Sequence, residues 1–318
     1  MPALVVSTAR LNPVCEEWLA KRVELVEWHG EDRQGLYRLL SEAEGLVIAT
    51  YLRINSELLA AAPRLRVVGR AGVGLEHVDL GECRRRQVQV VHTPVANRQA
   101  VVEYVLGLIL DALRPRTLID STVTADDFHR YRRTEVGRQL DQLTLGILGF
   151  GGIGKRLGEI AHAIGMQLIV SDLLPETQLR DEVDFPFEYV EARELYQRSD
   201  VLSVHVDGRA ENRHLISAPE LKWLRPDCLF INASRGMVVD SAALAEWAGR
   251  TCSTGGQAVL DVLDPEPPES DCPLFGLPNV RVLPHIAART HTALENMSWV
   301  VRDVWAVLQG KAPDFSAY

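Results

Sequence analysis

The sequence predicts an α/β protein of two Rossmann-like parallel-sheet domains, and three observations carry that expectation. Short β-branched runs recur along the chain with segments of helical composition between them, the alternation that builds a parallel sheet. The runs are apolar on both faces, as in sheets covered by helices on each side. One of them leads straight into a glycine turn, Gly149-Phe150-Gly151-Gly152-Ile153-Gly154, followed by a helical segment.

In chain order, the first series of strand candidates is Leu4 to Val6, Val23 to Val26, Leu46 to Ile48, Leu65 to Val68 and Val88 to Val91. A long helix is expected over Gln99 to Leu113. The polar stretch Arg114 to Gln142, with little core-forming content, then marks a domain crossover. The second series is Leu145 to Leu148, Leu168 to Val170, Val201 to Val204, Leu229 to Ile231, Ala258 to Leu260 and Val280 to Leu283. Thr292 to Leu308 carries apolar residues at helical spacing and is placed to return to the first domain.

Composition bounds the function. A chain of 318 residues, 47% hydrophobic and 24% charged, is an ordinary globular sequence long enough for two domains. A net charge of -9 offers no basic surface for counterion release, which argues against nucleic acid as a partner. The five cysteines are scattered, without metal-ligand spacing, and read as reduced thiols acting as small apolar fillers. No basic, apolar leader opens the chain, and the longest apolar run, Tyr104 to Leu110, is far short of the roughly 20 residues that cross a bilayer. A cytoplasmic protein without a membrane segment is expected.

The glycine turn is the first chemical signal. Gly149 permits the tight turn, Gly151 lets backbone approach a pyrophosphate, and Gly154 lets helix pack closely on strand; Gly152 and Ile153 complete the cofactor-binding turn, and the helix expected over Lys155 to Ile164 supplies free amides to the anion. After the next strand stands Asp172, roughly 20 residues on, where a carboxylate accepts both ribose hydroxyls and repels a 2'-phosphate. No basic residue directly follows it, so NAD is expected over NADP. Further cofactor contacts are expected at the ends of the following strands, from His205, Val206, Ala233, Ser234 and Asp261.

Arg235, Glu266 and His285 each follow a strand of the second series, at the edge where open α/β sheets bind ligands. Arg offers a charged fork for a carboxylate and the oxygen beside it. His exchanges protons near neutral pH, and Glu can orient an imidazole and favour its cation. That set suits hydride transfer at the C2 of an acid.

Leu224 to Asp240, containing Asn232-Ala233-Ser234-Arg235-Gly236, resembles the long signature of the D-isomer-specific 2-hydroxyacid dehydrogenases, and the likeness spans nearly the whole chain. The resemblance implies Arg235 on the substrate's carboxylate and carbonyl, His285 as acid/base and Glu266 as its partner. Val67 to Gly74 resembles the loop whose amides, here of Val73 and Gly74, hold the substrate carboxylate. Thr93 to Asn97 resembles the segment entering the inter-domain helix, with Asn97 near substrate, and Tyr51 is a further substrate candidate. The family fold implies a discontinuous, flavodoxin-like substrate domain over residues 1–97 and 288–318, a cofactor domain over 98–287, and closure of the two over the ligands. Residues 114–142 resemble the family's dimerisation arm, implying a homodimer; the run His129 to Arg133 within it reads as a solvated face.

Departures from the family narrow the substrate. Ala49-Thr50-Tyr51 replaces the Arg-Ser of the phosphoglycerate branch, Glu266 replaces the Gln of formate-oxidising relatives, and Val73 the Lys of phosphite-oxidising ones. A small unphosphorylated 2-keto acid is expected. Gly152 stands where the family commonly carries Arg near the pyrophosphate, and the loop His205 to Arg209 is altered, with Arg209 a candidate to compensate. That altered loop motivates the alternative, an NAD-sensing binding protein of the dehydrogenase-like corepressor type without turnover.

Overall fold

The structure is a computed structural model describing residues 2–30, 32–50 and 52–318. The chain divides into two compact units, one formed by residues up to Asn97 together with Ala288–Tyr318, the other by Arg98–Ala287.

In the first unit, strands β1 (Leu4–Ser7), β2 (Glu24–Glu27), β3 (Gly45–Ile48), β4 (Val67–Arg70) and β5 (Gln89–His92) form a five-stranded sheet in the order β2-β1-β3-β4-β5. Every pairing is parallel. Helices α1 (Pro13–Ala20), α2 (Arg33–Leu40), α3 (Ser56–Ala61) and α4 (Leu80–Arg85) make the connections. The period-two pleat sorts neighbouring residues to opposite faces. Val6, Leu46, Val68 and Val90 enter one apolar cluster, while Val5, Val47, Val67 and Val91 enter another.

That second cluster is completed by the C-terminal segment. The expected single helix over Thr292 to Leu308 is two, α12 (His291–Ser298) and α13 (Val300–Leu308), meeting at Trp299. At the junction the Ser298 hydroxyl donates to the Leu294 carbonyl (2.8 Å) and accepts from the Asn12 amide (2.9 Å). Such bonding back to the i−4 carbonyl bends helices. Helix α13 lies against β4 because Gly69 has no side chain: a Cβ there would stand 2.4 Å from Val304 Cγ2.

The second unit opens with α5 (Arg98–Leu113) and the exposed α6 (Ala125–Thr134), a helix in the stretch expected to be only a polar crossover. No residue of α6 is buried; Thr124 caps it and Arg130 pairs with Asp127. The seven-stranded sheet contains β6 (Thr144–Leu148), β7 (Gln167–Ser171), β8 (Glu188–Tyr189), β9 (Val201–Val204), β10 (Leu229–Asn232), β11 (Gln257–Leu260) and β12 (Val280–Val282), ordered β12-β11-β10-β9-β6-β7-β8. Its pairings are parallel. Helices α7 (Gly152–Ala163), α8 (Glu176–Arg180), α9 (Ala192–Arg198), α10 (Ala218–Trp223) and α11 (Ser241–Thr251) connect them. The two-residue edge strand β8 is too short to leave a periodic signal, and the sequence reading lacks it.

Strand order reverses between β6 and β9, so the loops leaving these strands diverge and open a crevice at their C-terminal edge. Both strands are mostly apolar and almost wholly buried, which fixes the edge on a rigid support. Of the cysteines, Cys15, Cys83 and Cys228 are buried fillers, whereas Cys252 is exposed at the end of α11, against the expectation for it. Among the described residues no helix is long and apolar enough to cross a membrane.

Candidate active site

The glycine turn leaves β6 at the point of strand reversal. Gly149 has φ +91°, a left-handed conformation that side chains resist, and a Cβ there would come within 3.0 Å of the His205 and Val206 backbone. The His205 amide donates to the Leu148 carbonyl (2.8 Å), holding the two loops together. A Cβ on Gly154 would meet the Gly149 carbonyl at 2.4 Å, so this glycine lets α7 seat on the turn. A Cβ on Gly151 would meet nothing within 4 Å, leaving open space before the first amides of α7. Helix α7 begins at Gly152, earlier than the expected Lys155, because extended Gly151 already caps it. Ile153 is half-buried beside this opening. The cradle therefore fits a pyrophosphate: backbone donors, positive dipole end and no obstructing side chain.

Asp172 follows β7. Its Oδ2 accepts from the Phe150 amide (2.5 Å) and its Oδ1 from the Leu174 amide (2.8 Å), so the carboxylate braces the glycine turn while each oxygen keeps a lone pair for a hydroxyl. Ala233, half-buried, directly follows β10. Ser234 is turned inward, its hydroxyl and amide both donating to Asn232 Oδ1 (2.8 and 3.0 Å). The His205 ring turns to Ser203 Oγ (2.8 Å), and its Nδ1 is enclosed without a partner although the residue as a whole is partly exposed. Burial pushes this imidazole down to about 4.

Beyond β11 and β12 the chemistry-bearing side chains converge. His285 Nδ1 donates to Glu266 Oε2 at 2.7 Å, and Glu266 Oε1 accepts from the Leu263 amide at 3.0 Å. Burial would raise the Glu266 carboxyl, but the His285 hydrogen bond, the Leu263 amide and the charges of His285 and Arg235 outweigh it and hold it below the usual carboxylate range. Glu266 is thus ionised and fixes the tautomer, leaving Nε2 as the atom that can exchange a proton. The His285 side chain is 41% exposed, open to a reacting molecule. Arg235 donates through Nη1 to the Ser234 carbonyl (2.8 Å), and its charge acts on both Glu266 and Asp207. Gly236 brings its loop against the Glu266 loop: a Cβ there would lie 2.0 Å from the Leu263 backbone.

Asp261, fully buried at the end of β11, has a larger part than the cofactor contact expected of it. Its carbonyl accepts from the His285 amide (2.8 Å), its Oδ1 from Ile286 (2.9 Å) and its Oδ2 from Ala287 (2.8 Å). These bonds hold His285 at φ +54°, in the left-handed region a histidine rarely adopts. Burial raises the Asp261 carboxyl, opposed by the two amides, His285 and a hydrogen bond with Tyr104, whose phenol is itself pushed up to about 12 by burial and Asp261.

The substrate-side candidates lie in the first unit. His92 Nδ1 donates to the Val73 carbonyl (3.0 Å), Thr93 donates its amide to Gly72 (3.1 Å), and Gly72 takes φ +145°, which shapes the turn leading into Val73 and Gly74. The Arg70 guanidinium folds back on the Ala71 carbonyl and Thr50 Oγ1. Asn97 ends this part of the unit, its Oδ1 without a hydrogen-bond partner. Tyr51 lies outside the described residues. Among the described residues no group of His, Cys, Asp and Glu is placed to hold a metal ion.

A glycine turn at the switch point of a parallel sheet, with a carboxylate-paired imidazole on the same sheet edge, defines a dinucleotide-binding α/β protein equipped for proton transfer. The model of the family described as D-isomer specific 2-hydroxyacid dehydrogenase, NAD binding domain, matches residues 106–287. An (S)-sulfolactate dehydrogenase of Chromohalobacter salexigens is 36% identical over 273 residues, covering 84% of this chain and 85% of the relative. A glyoxylate reductase of Aeropyrum pernix is 33% identical over 315 residues, covering 96% and 93%. The crystal structure of the TT0316 protein of Thermus thermophilus superposes with a TM-score of 0.85 at 28% identity, covering 99% of this chain and 100% of that one. The chain belongs to the D-isomer-specific 2-hydroxyacid dehydrogenase family, oxidoreductases of hydroxy and keto acids.

Proposed function

We propose that this protein reduces a small unphosphorylated 2-keto acid to the 2-hydroxy acid with NADH, and catalyses the reverse with NAD. The observation that carries the reading is the 2.7 Å His285–Glu266 bond on the sheet edge that bears the glycine turn. Bound at Gly149 to Gly154, NADH would supply the hydride to C2. In the direction of reduction His285 Nε2 delivers a proton to the carbonyl oxygen, and in oxidation it takes that proton back. Glu266 orients the ring for that transfer through its bond to Nδ1. Arg235 clamps the substrate carboxylate and polarises the carbonyl, lowering the cost of the charge that develops on oxygen. Val73 and Gly74 add backbone amides for the carboxylate, with Asn97 near the substrate.

Asp172 favours NAD: a 2'-phosphate would meet its negative charge, and the adjacent Leu173 and Leu174 offer no cation. A homodimer through residues 114–142 is part of the proposal, supported by Leu118 and Val136, 87% and 76% exposed, on that arm. Binding without turnover would leave an ionised glutamate and an oriented imidazole with no task, so the corepressor-like alternative has less support. The test is a panel of glyoxylate, hydroxypyruvate, pyruvate and their phosphorylated analogues, followed by loss of NADH absorbance and repeated with NADPH. Turnover of unphosphorylated acids with NADH is expected; activity confined to phosphorylated acids or to NADPH overturns the substrate or cofactor assignment respectively.

A further inference from the structure

We propose that Arg98, the first residue of α5, is the pyrophosphate-binding cation of this chain. The inference rests on the cofactor reading above and names a residue that neither the glycine motif nor the catalytic set contains. A Cβ placed on Gly152 would lie 2.7 Å from Arg98 Nη2, 2.8 Å from its Nε and 2.9 Å from its Cζ. The guanidinium therefore occupies the space in which a side chain at position 152 would begin. Immediately beside it lie the open space over Gly151 and the first turn of α7. A planar fork carrying a permanent charge stands at the place where backbone amides await an anion.

Its neighbours are otherwise engaged. Lys155 pairs with Glu182, and Arg156 pairs with Glu159 (2.7 Å) while its Nε donates to Gln99 Oε1 (2.9 Å). Arg209, the residue expected to compensate for Gly152, is bound to Asp207. Among the described residues Arg98 has no carboxylate within ion-pairing distance, so its charge is available to a ligand. The Gln99–Arg156 bond ties α5 to α7 one residue along, which holds Arg98 over the turn. Position 152 and position 98 compete for one volume: glycine at 152 is what admits this arginine, and an arginine at 152 would displace it.

The test is equilibrium titration of the apo protein with NADH, ADP-ribose and adenosine, the last lacking the pyrophosphate. R98Q is expected to weaken NADH and ADP-ribose by about 10- to 100-fold, the range of a lost charge-assisted contact, with a shallower salt dependence and unchanged adenosine binding. In R98Q/G152R the vacated volume receives the new guanidinium, and most of the affinity for NADH is expected to return. Parent protein that binds NADH while R98Q binds it within about twofold, or an R98Q that loses adenosine binding equally, overturns the role of Arg98. Parent protein that binds neither NADH nor ADP-ribose overturns the cofactor reading itself.

Discussion

Each candidate catalytic side chain is set by a few named bonds. His285 is paired with Glu266 and strained at φ +54°, while His205, one loop away from the glycine turn, is enclosed and turned to Ser203. An unfolded His205 takes up its proton near pH 6.5, the folded one only near pH 4, so between these values the unfolded state binds more protons and stability falls as pH falls. Urea unfolding of the apo protein across that window is expected to show parent protein losing up to about 3 kcal/mol more than H205N. Parallel losses in the two proteins would show that the His205 ring is not held neutral. The pairing of Glu266 with His285 was legible from residue type and position after a strand. The role proposed for Arg98 has no such signal, because it rests on the space left by Gly152, which no spacing rule reports.

At the scale of elements, the loop after β12 is a device for holding one histidine. Asp261 reaches across from the end of β11 to three successive amides, and Gly236 lets the Arg235 loop touch the Glu266 loop. The sequence shows an acidic residue at a strand end, which suits a ligand contact as well as a clamp; only the structure shows both carboxylate oxygens committed to backbone. D261N offers one carbonyl oxygen to two amides and aims an NH2 at the other. We expect kcat to fall at least about tenfold, and stability by about 1 to 3 kcal/mol, from a misplaced His285 and an unsatisfied buried amide. Hydrogen exchange at Ile286 and Ala287 should accelerate in step; unchanged kcat with unchanged exchange would deny Asp261 this positioning role. Element boundaries follow the same logic. Strand β9 is legible to the residue because all of it is buried and three of its four residues are apolar, whereas the division of α12 from α13 depends on one hydroxyl, that of Ser298.

For the whole molecule, two parallel sheets arise because apolar runs recur at intervals that a helix can bridge, and the pleat then sorts them into clusters on opposite faces. The return of α13 to the first sheet is visible as apolar spacing, and Gly69 supplies the physical reason for its seat on β4. What the pattern could not carry is exposed structure such as α6, which buries nothing and so leaves no apolar period. The central claim is that the imidazole held by Glu266 moves the proton that accompanies hydride transfer. It is tested most directly by rapid mixing of NADH-loaded parent protein and H285A with the best keto acid from the panel, with NADH affinity measured in parallel. H285A is expected to lose NADH oxidation by at least about a hundredfold with its NADH affinity within about twofold of the parent. Equal rates of NADH oxidation in the two proteins would contradict it.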